Sequence, residues 1–311
     1  MDISYLLFLQ NLRETTGGIF NKFFTYVTGY GEMACLFAVF AMVYWCINKK
    51  TGEYMLISLA FDRIINGILK ITFCINRPWI RDARVVPLGD GLKTANGYSF
   101  PSGHTANATS CFGGFAMGTK CGKALKILAW VCALLVAFSR NYIGVHTPQD
   151  VVVSFLVAVA VLFGVQKLFD KYYDNPKFYM WFSGIGITAC VLGIVYAGLK
   201  SYPKDYNELG KLIVNPEKMV IDFYKNVGYC LGIYLGWFIE KRFINFSCEG
   251  SINQKIFRFV LLYLVFQMVC LIVIPVCSKY MIKEVASVFK PFVQMMYICC
   301  IAPLIIKYAK L

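Results

Sequence analysis

Apolar residues come in long blocks with little polar punctuation, and the blocks have the lengths of helices rather than strands. Clear runs occupy 32–47, 54–73, 104–118, 124–138, 148–166, 179–199, 257–276 and 292–306, and another surrounds Gly228, Gly232 and Gly236. Most approach the roughly 20 residues an α-helix needs to cross a hydrocarbon core. The pattern predicts an all-α, polytopic transmembrane helical bundle of about nine spans, because in lipid every backbone polar group must be satisfied within the helix. Ahead of these runs, residues 1–31 mix Tyr5, Leu6, Phe8, Leu9 and Leu12 with Gln10, Asn11, Arg13, Glu14 and Lys22. That mixture fits an N-terminal amphipathic segment lying at, or partly inserted into, the interface. Residues 1–10 lack the basic start and small-residue cleavage site of a secretory signal.

Polar positions inside the apolar blocks carry more information than the blocks themselves. Asp62, Asn66 and Lys70 recur every four residues, so they share one helical face, expected to point into the bundle. Asp62 and Arg63 read first as an intramembrane ion-pair network that fixes helix packing. Pro78, Pro87, Gly89, Gly91 and Gly97 mark residues 74–103 as a long loop, a length usually kept for function. Gly228, Gly232 and Gly236 form a small-residue stripe suited to close helix packing, within the chain or in a homodimer.

Composition sharpens the membrane assignment. Hydrophobic residues make up 58% of the chain and charged residues 15%, against about 25% charged in an ordinary soluble domain. The net charge is +14, from 31 basic and 17 acidic residues. The basic residues sit between apolar runs rather than on one soluble face, which argues for membrane lipids as partners and against nucleic acid. Thirteen cysteines are scattered without ligand spacing and there are only two histidines, so neither a metal site nor a cofactor is expected. Lys49, Lys50, Lys120, Lys123, Lys126, Lys167, Lys171, Lys177, Lys241, Arg242, Lys255 and Arg258 fall at one end of the bundle. By the excess of Lys and Arg in cytoplasmic loops, that end is cytoplasmic and the loops bearing His104 and His146 lie on the opposite face.

Both histidines fall in polar clusters at helix ends on that outer face. Thr147 reads as an N-cap and Pro148 as a first helical position, placing Asp150 about one turn from His146. A carboxylate there can fix one ring nitrogen and leave the other with its lone pair free, giving an oriented nucleophile or base. Helix parity brings three clusters together: Lys70 and Arg77; Ser102, Gly103 and His104; and Arg140, His146 and Asp150. Lys70, Arg77 and Arg140 can clamp phosphate oxygens. Ser102 and Gly103, at a helix start, offer a hydroxyl and backbone N–H groups to an anion. The chemistry reads as phosphoryl transfer: His146 attacks phosphorus, Asp150 holds its tautomer, and His104 protonates the leaving oxygen, then activates water. Arg81, Arg84 and Lys93 could hold a headgroup or second phosphate, or simply face lipid phosphates from a solvated loop.

The order Lys-x6-Arg-Pro, Pro-Ser-Gly-His, Ser-Arg-x5-His-x3-Asp resembles the type-2 phosphatidic acid phosphatases, or lipid phosphate phosphatases, whose fold and site are similar to those of vanadium haloperoxidases. The resemblance covers roughly residues 1–170 and implies the same roles for His146, His104, Asp150, Lys70, Arg77, Ser102, Gly103 and Arg140. It divides the chain into a phosphatase core with the N-terminal segment, 1–177, and additional C-terminal helices of unknown role, 178–311. The function it implies is hydrolysis, without metal, of a lipid phosphate: polyprenyl pyrophosphate, phosphatidylglycerol phosphate or phosphatidic acid. The expected setting is a bacterial cytoplasmic membrane with the site on its extracytoplasmic face. A lipid phosphotransferase using the same intermediate and a non-catalytic lipid carrier are the competing readings.

Overall fold

The computed structural model describes residues 2–89, 95, 97–206, 210 and 212–311. Among these residues the fold is all-helical, and the one extended pairing is an isolated antiparallel bridge between Tyr206 and Leu212. Two N-terminal helices, α1 (Asp2–Thr15) and α2 (Asn21–Gly29), precede α3 (Met33–Ile47), which ends in a π-helical turn. Then come α4 (Lys49–Phe73), the single turn α5 (Pro78–Arg81), and α6, a continuous run through Gly103–Ala108, Thr109–Gly113 and Gly114–Gly118. They are followed by α7 (Lys123–Tyr142), α8 (Pro148–Tyr172), α9 (Phe178–Leu199), α10 (Pro216–Ile239, extended by Glu240–Ile244), α11 (Ile252–Ser278) and α12 (Lys283–Ala309).

Helix starts follow from capping chemistry. The Asn48 side chain accepts from Thr51 N–H at 2.8 Å to open α4. Asn215 caps α10, with Pro216 in the first turn. Ser251 and Gln254 form a reciprocal capping box on α11. Two helices organise the packing. Helix α4 has fifteen of its 25 residues buried, which makes it an axial element rather than a lipid-facing one. Helix α10 packs against α4, α9 and α12. Helices α6 and α8 also pack on α4, and α7 packs in turn on α6 and α8.

The span count differs from the expectation. Helices occur at all nine anticipated places, but among the described residues only α7, α8, α9, α11 and α12 are long and apolar enough to cross a membrane. A sixth arises if α2 and α3, bent by 57° at their junction, count as one broken span. The nine-span count is therefore not established. The polar interior faces of α4 and α10 depress their mean hydropathy, because an average over all faces cannot distinguish a residue turned to lipid from one turned inward. Asp62 and Arg63 do not pair either. Asp62 accepts from the Ser110 hydroxyl at 3.0 Å, while Arg63 reaches the amide oxygens of Asn107 and Asn226. Adjacent residues on a helix point to different faces, so this divergence is geometric.

At the end of the bundle away from both histidines, cations meet carboxylates. Lys49 pairs with Glu240 at 2.7 Å and Lys241 with Glu53 at 3.4 Å. Arg258, grouped above with the surface cations, is buried and donates to the carbonyls of Trp45, Glu249 and Leu311.

The glycine stripe packs within the chain. A Cβ on Gly228 would lie 2.3 Å from the Val288 carbonyl oxygen, and one on Gly232 2.6 Å from that of Phe292. Gly236 lies equally close to Cys299. Since Val288 and Phe292 present backbone on α12, the neighbour cannot rotate away. Gly232→Ala is expected to lower thermal stability by about 1–3 kcal/mol equivalent through overpacking, measured by loss of the monodisperse detergent peak on heating. Gly184→Ala on α9, where a Cβ meets nothing within 4 Å, is the control and should be neutral.

Candidate active site

The last turn of α4 supplies the first cation. Lys70 Nζ donates to the carbonyls of Tyr98, Ser99 and Pro101 at 3.2, 3.1 and 2.7 Å, which gathers the segment preceding α6 around one ammonium. Cys74, with φ of 50°, ends the helix in the left-handed region and turns the chain toward Arg77. Arg77 Nε donates to Gly97 O at 3.1 Å and one terminal nitrogen donates to Val145 O at 2.8 Å. Gly97 sits at φ of +87°, a conformation that disfavours a side chain. Burial pushes the Arg77 guanidinium down to about 10, which leaves it charged at neutral pH.

His146 occupies the turn between α7 and α8. Thr147 caps α8, its hydroxyl accepting from Asp150 N–H while Asp150 Oδ2 accepts from Thr147 N–H at 2.8 Å. The same oxygen lies 3.3 Å from His146 Nδ1 and accepts from the Ser99 hydroxyl. Asn141 holds the His146 carbonyl at 2.9 Å. Arg77 donates to His146 Nε2 at 2.9 Å. Arginine has no acceptor, so Nε2 carries the lone pair and Nδ1 the proton shared with Asp150. Burial first, and then the Arg77 charge, hold the His146 ring well below the usual histidine range, against the opposing pull of Asp150. The ring is therefore a neutral, oriented imidazole; it does not line the neighbouring cavity, and its Nε2 lone pair is turned to the Arg77 guanidinium, which does.

Lys70, Arg77, Gly103 and His104 share a cavity of about 540 Å³. His104 Nε2 lies 3.9 Å from a Glu32 carboxylate oxygen. A Cβ on Gly31 would fall 2.7 Å from the His104 Cβ, so the junction of α2 and α3 rests directly on this histidine. Arg140 is buried and donates to the Thr28 hydroxyl at 2.5 Å. Among the described residues Lys70, Arg77 and Arg140 make no ion pair, their partners being carbonyls, a hydroxyl and a ring nitrogen.

Two expected groups do not line the cavity. Ser102 is buried beneath it: its N–H donates to Asp150 O at 3.1 Å, and its Oγ caps α6 by accepting from Thr105 N–H and the Thr105 hydroxyl. It props the site, while Gly103 faces the cavity. Arg81 and Arg84 are not brought to the cavity. Arg81 pairs with Asp2 and Arg84 with Asp82, each at 2.7 Å, because carboxylates closer than any substrate satisfy them. Lys93 lies outside the described residues. Several cavity residues were not anticipated from sequence: Glu32, Asn107, and from α10 Asp222, Asn226 and Tyr229. Ser99, the second clasp on Asp150, was also missed. Its position between the loop and the Pro-Ser-Gly-His stretch was the only signal.

Residues 52–174 match the PAP2 superfamily, and residues 224–311 match the PAP2 superfamily phosphatase, transmembrane extension. The chain thus carries a PAP2 superfamily domain followed by that superfamily's transmembrane extension. It is 35% identical over 133 residues to phosphatidylglycerophosphatase B of Bacillus subtilis (strain 168), covering 40% of this chain and 61% of that one. It is 23% identical over 165 residues to lipid phosphate phosphatase delta of Arabidopsis thaliana, covering 50% and 39%. It is 28% identical over 116 residues to the undecaprenyl-diphosphatase of Sulfolobus acidocaldarius, covering 37% and 54%. The match thus spans less than two thirds of each relative's length. No solved structure matches the chain.

With only two histidines present, the His146 ring can be followed directly. In ¹⁵N-histidine NMR of a His104→Ala variant, His146 is expected to titrate below the ordinary value of about 6.5. Arg77→Gln should raise that midpoint, since it removes a cation that opposes ring protonation. A midpoint unmoved by Arg77→Gln would detach the two groups electrostatically.

Proposed function

We propose that this protein is an integral-membrane lipid phosphatase that works through a phosphohistidine. The observation that carries the reading is the His146 ring: Asp150 fixes Nδ1, and Nε2 faces the Arg77 guanidinium at the edge of a cavity shared with Lys70 and His104. A substrate phosphate placed there draws Arg77 off Nε2 and onto a phosphate oxygen. The Nε2 lone pair attacks phosphorus, the bond from phosphorus to the ester or anhydride oxygen breaks, and His104 gives that oxygen a proton. Water then attacks the phosphohistidine, His104 takes the water's proton, and the P–N bond breaks to release inorganic phosphate and free His146. Lys70, Arg77, Arg140 and the Gly103 backbone neutralise the charge that develops.

The substrates in view are phosphatidylglycerol phosphate, polyprenyl pyrophosphate and phosphatidic acid. Relatives named for phosphatidylglycerophosphate, lipid phosphate and undecaprenyl diphosphate support that range. We place the site at the extracytoplasmic face of a cytoplasmic membrane. The Lys-rich opposite end, around Lys49, Lys50 and Lys241, supports this orientation. We also read α4, α6 and α10 as crossing with the six apolar candidates, their polar residues turned inward. Residues 1–177 then form the catalytic core and 178–311 an extension packed on α4.

The test is phosphate release by detergent-purified protein from the three lipids, with chelator present. His146→Ala is expected to abolish release while keeping the wild-type elution profile. Turnover by that variant at the wild-type rate would overturn the mechanism. Release from none of the lipids, but phosphoryl transfer to an added alcohol, would make the protein a transferase. Asp150→Asn should reduce kcat roughly a thousandfold or more through loss of tautomer control, read against an unchanged melting profile to separate it from loss of the α8 cap.

A further inference from the structure

Arg63 is a cation the phosphoryl-transfer scheme does not use. It lies on α4 seven residues before Lys70, and it lines the same cavity. At the α-helical rise this places it about 10 Å along the axis from Lys70, toward the middle of the bundle. Its two terminal nitrogens donate to Asn107 Oδ1 at 2.7 Å and Asn226 Oδ1 at 2.6 Å, and the guanidinium lies 4.3 Å from the Tyr229 ring centroid. The Arg63 Nε is buried without a hydrogen-bond partner. Among the described residues Arg63 makes no ion pair: Asp62 is turned to Ser110, and Asp222 is engaged by Lys225 at 2.7 Å. A planar cation is thus oriented by neutral amides and a ring, and its charge is left uncompensated.

Depth gives this cation a meaning. When the reacting phosphate sits at Lys70 and Arg77, the substrate's tails run into the hydrocarbon, away from the outer face. Any second phosphoryl group between the reacting phosphate and the tails lies on the Arg63 side. We infer that Arg63, held by Asn107 and Asn226, is a second anion subsite selecting lipids that carry two phosphoryl groups over simple monoesters. This rests on the lipid phosphatase reading and deepens it. Two phosphoryl groups separated by a glycerol spacer cover more of the distance from Lys70 to Arg63 than two sharing a bridging oxygen. An arginine fork matches the non-bridging oxygens of either.

The test compares kcat/KM for phosphatidylglycerol phosphate, polyprenyl pyrophosphate and phosphatidic acid in wild type, Arg63→Gln and Asn226→Asp. The first variant removes the cation. The second leaves it and neutralises it with a carboxylate from α10. Both are expected to lower the preference for the two-phosphate lipid over phosphatidic acid about 10- to 100-fold, the loss of a charge-assisted hydrogen-bonded contact. Whichever of the two lipids loses more identifies the spacing the subsite fits. A preference unchanged within twofold, or an equal fall on all three lipids, would overturn the inference and assign Arg63 to packing. If neither variant keeps the wild-type elution profile, displacement of a bound lipid by non-hydrolysable bisphosphonate and monophosphonate lipids decides on the wild-type protein. Equal affinity for the two would overturn the subsite. Because that binding needs no turnover, the subsite and the hydrolase reading can fail separately.

Discussion

The carboxylate of Asp150 is the constraint the site depends on. One oxygen accepts from the Thr147 backbone, from the Ser99 hydroxyl and from the ring of His146, while the residue's own carbonyl accepts the Ser102 N–H. The start of α8, the loop leading into α6, the start of α6 and the imidazole are therefore fixed by one side chain and its backbone. A buried carboxylate left unsatisfied costs several kcal/mol, so each of these partners is held to its geometry by the others. Ser154 extends the arrangement by donating to the Ser102 carbonyl at 2.6 Å. The histidine is thus oriented by the same contacts that build the helix ends.

The two ends of the bundle treat charge in opposite ways. Near Lys49 and Lys241, cations are matched by Glu240 and Glu53, and the pairs contribute to holding α4 and α10 together. Around His146, two buried arginines and the half-buried Lys70 lean on carbonyls, a hydroxyl and a ring nitrogen. Carbonyl oxygens offset part of the desolvation cost of a guanidinium or ammonium but do not cancel its charge. The uncompensated charge raises the free energy of the empty site. On the proposed reading, a phosphate dianion would relieve it, and binding would draw on that excess. Such a device needs a rigid frame, and the apolar core behind α4, including Trp45, Met55 and Phe40, supplies one.

What could be read from sequence follows a physical line. The spacing of Asp62, Asn66 and Lys70, and the Thr147-Pro148-Asp150 start signal, are local, and local periodicity reports which residues share a face. Both histidines, Lys70, Arg77 and Asp150 were legible for that reason. Contacts closed across the fold were not. Ser99 meets Asp150 from 51 residues away, and Asn226 meets Arg63 from 163. Nothing in the spacing of either pair announces the contact. Of the two open readings for Arg81 and Arg84, the partners favour the loop: Asp82 beside Arg84 is visible in the sequence, whereas Asp2, 79 residues from Arg81, is not. The span count is not settled by length and composition, since a helix with one polar inward face has a mean hydropathy that describes neither face, and α6 is short.

Helix α10 is where packing and chemistry meet. Its glycine stripe lets the α12 backbone approach until no side chain fits between them, while a neighbouring face sets Asp222, Asn226 and Tyr229 against the cavity. Both faces belong to one rigid helix, so the close seat on α12 determines how far Asn226 reaches toward Arg63. Phe223 packs on Gly67 of α4 and Gly193 of α9, which pins the same helix from its other side. The same helix also reaches the site through Met219, whose sulfur accepts the Tyr98 N–H at 3.4 Å and which packs on Gly97, next to the carbonyls that hold Lys70 and Arg77. Asn226 and Tyr229 lie beside Arg63, whereas the Asp150 clasp and the cations around it come from α4, α7, α8 and the segment between α4 and α6 that carries Arg77 and Ser99. Where α10 packs therefore sets the Arg63 side of the cavity and, through Met219, bears on the loop beside Lys70 and Arg77.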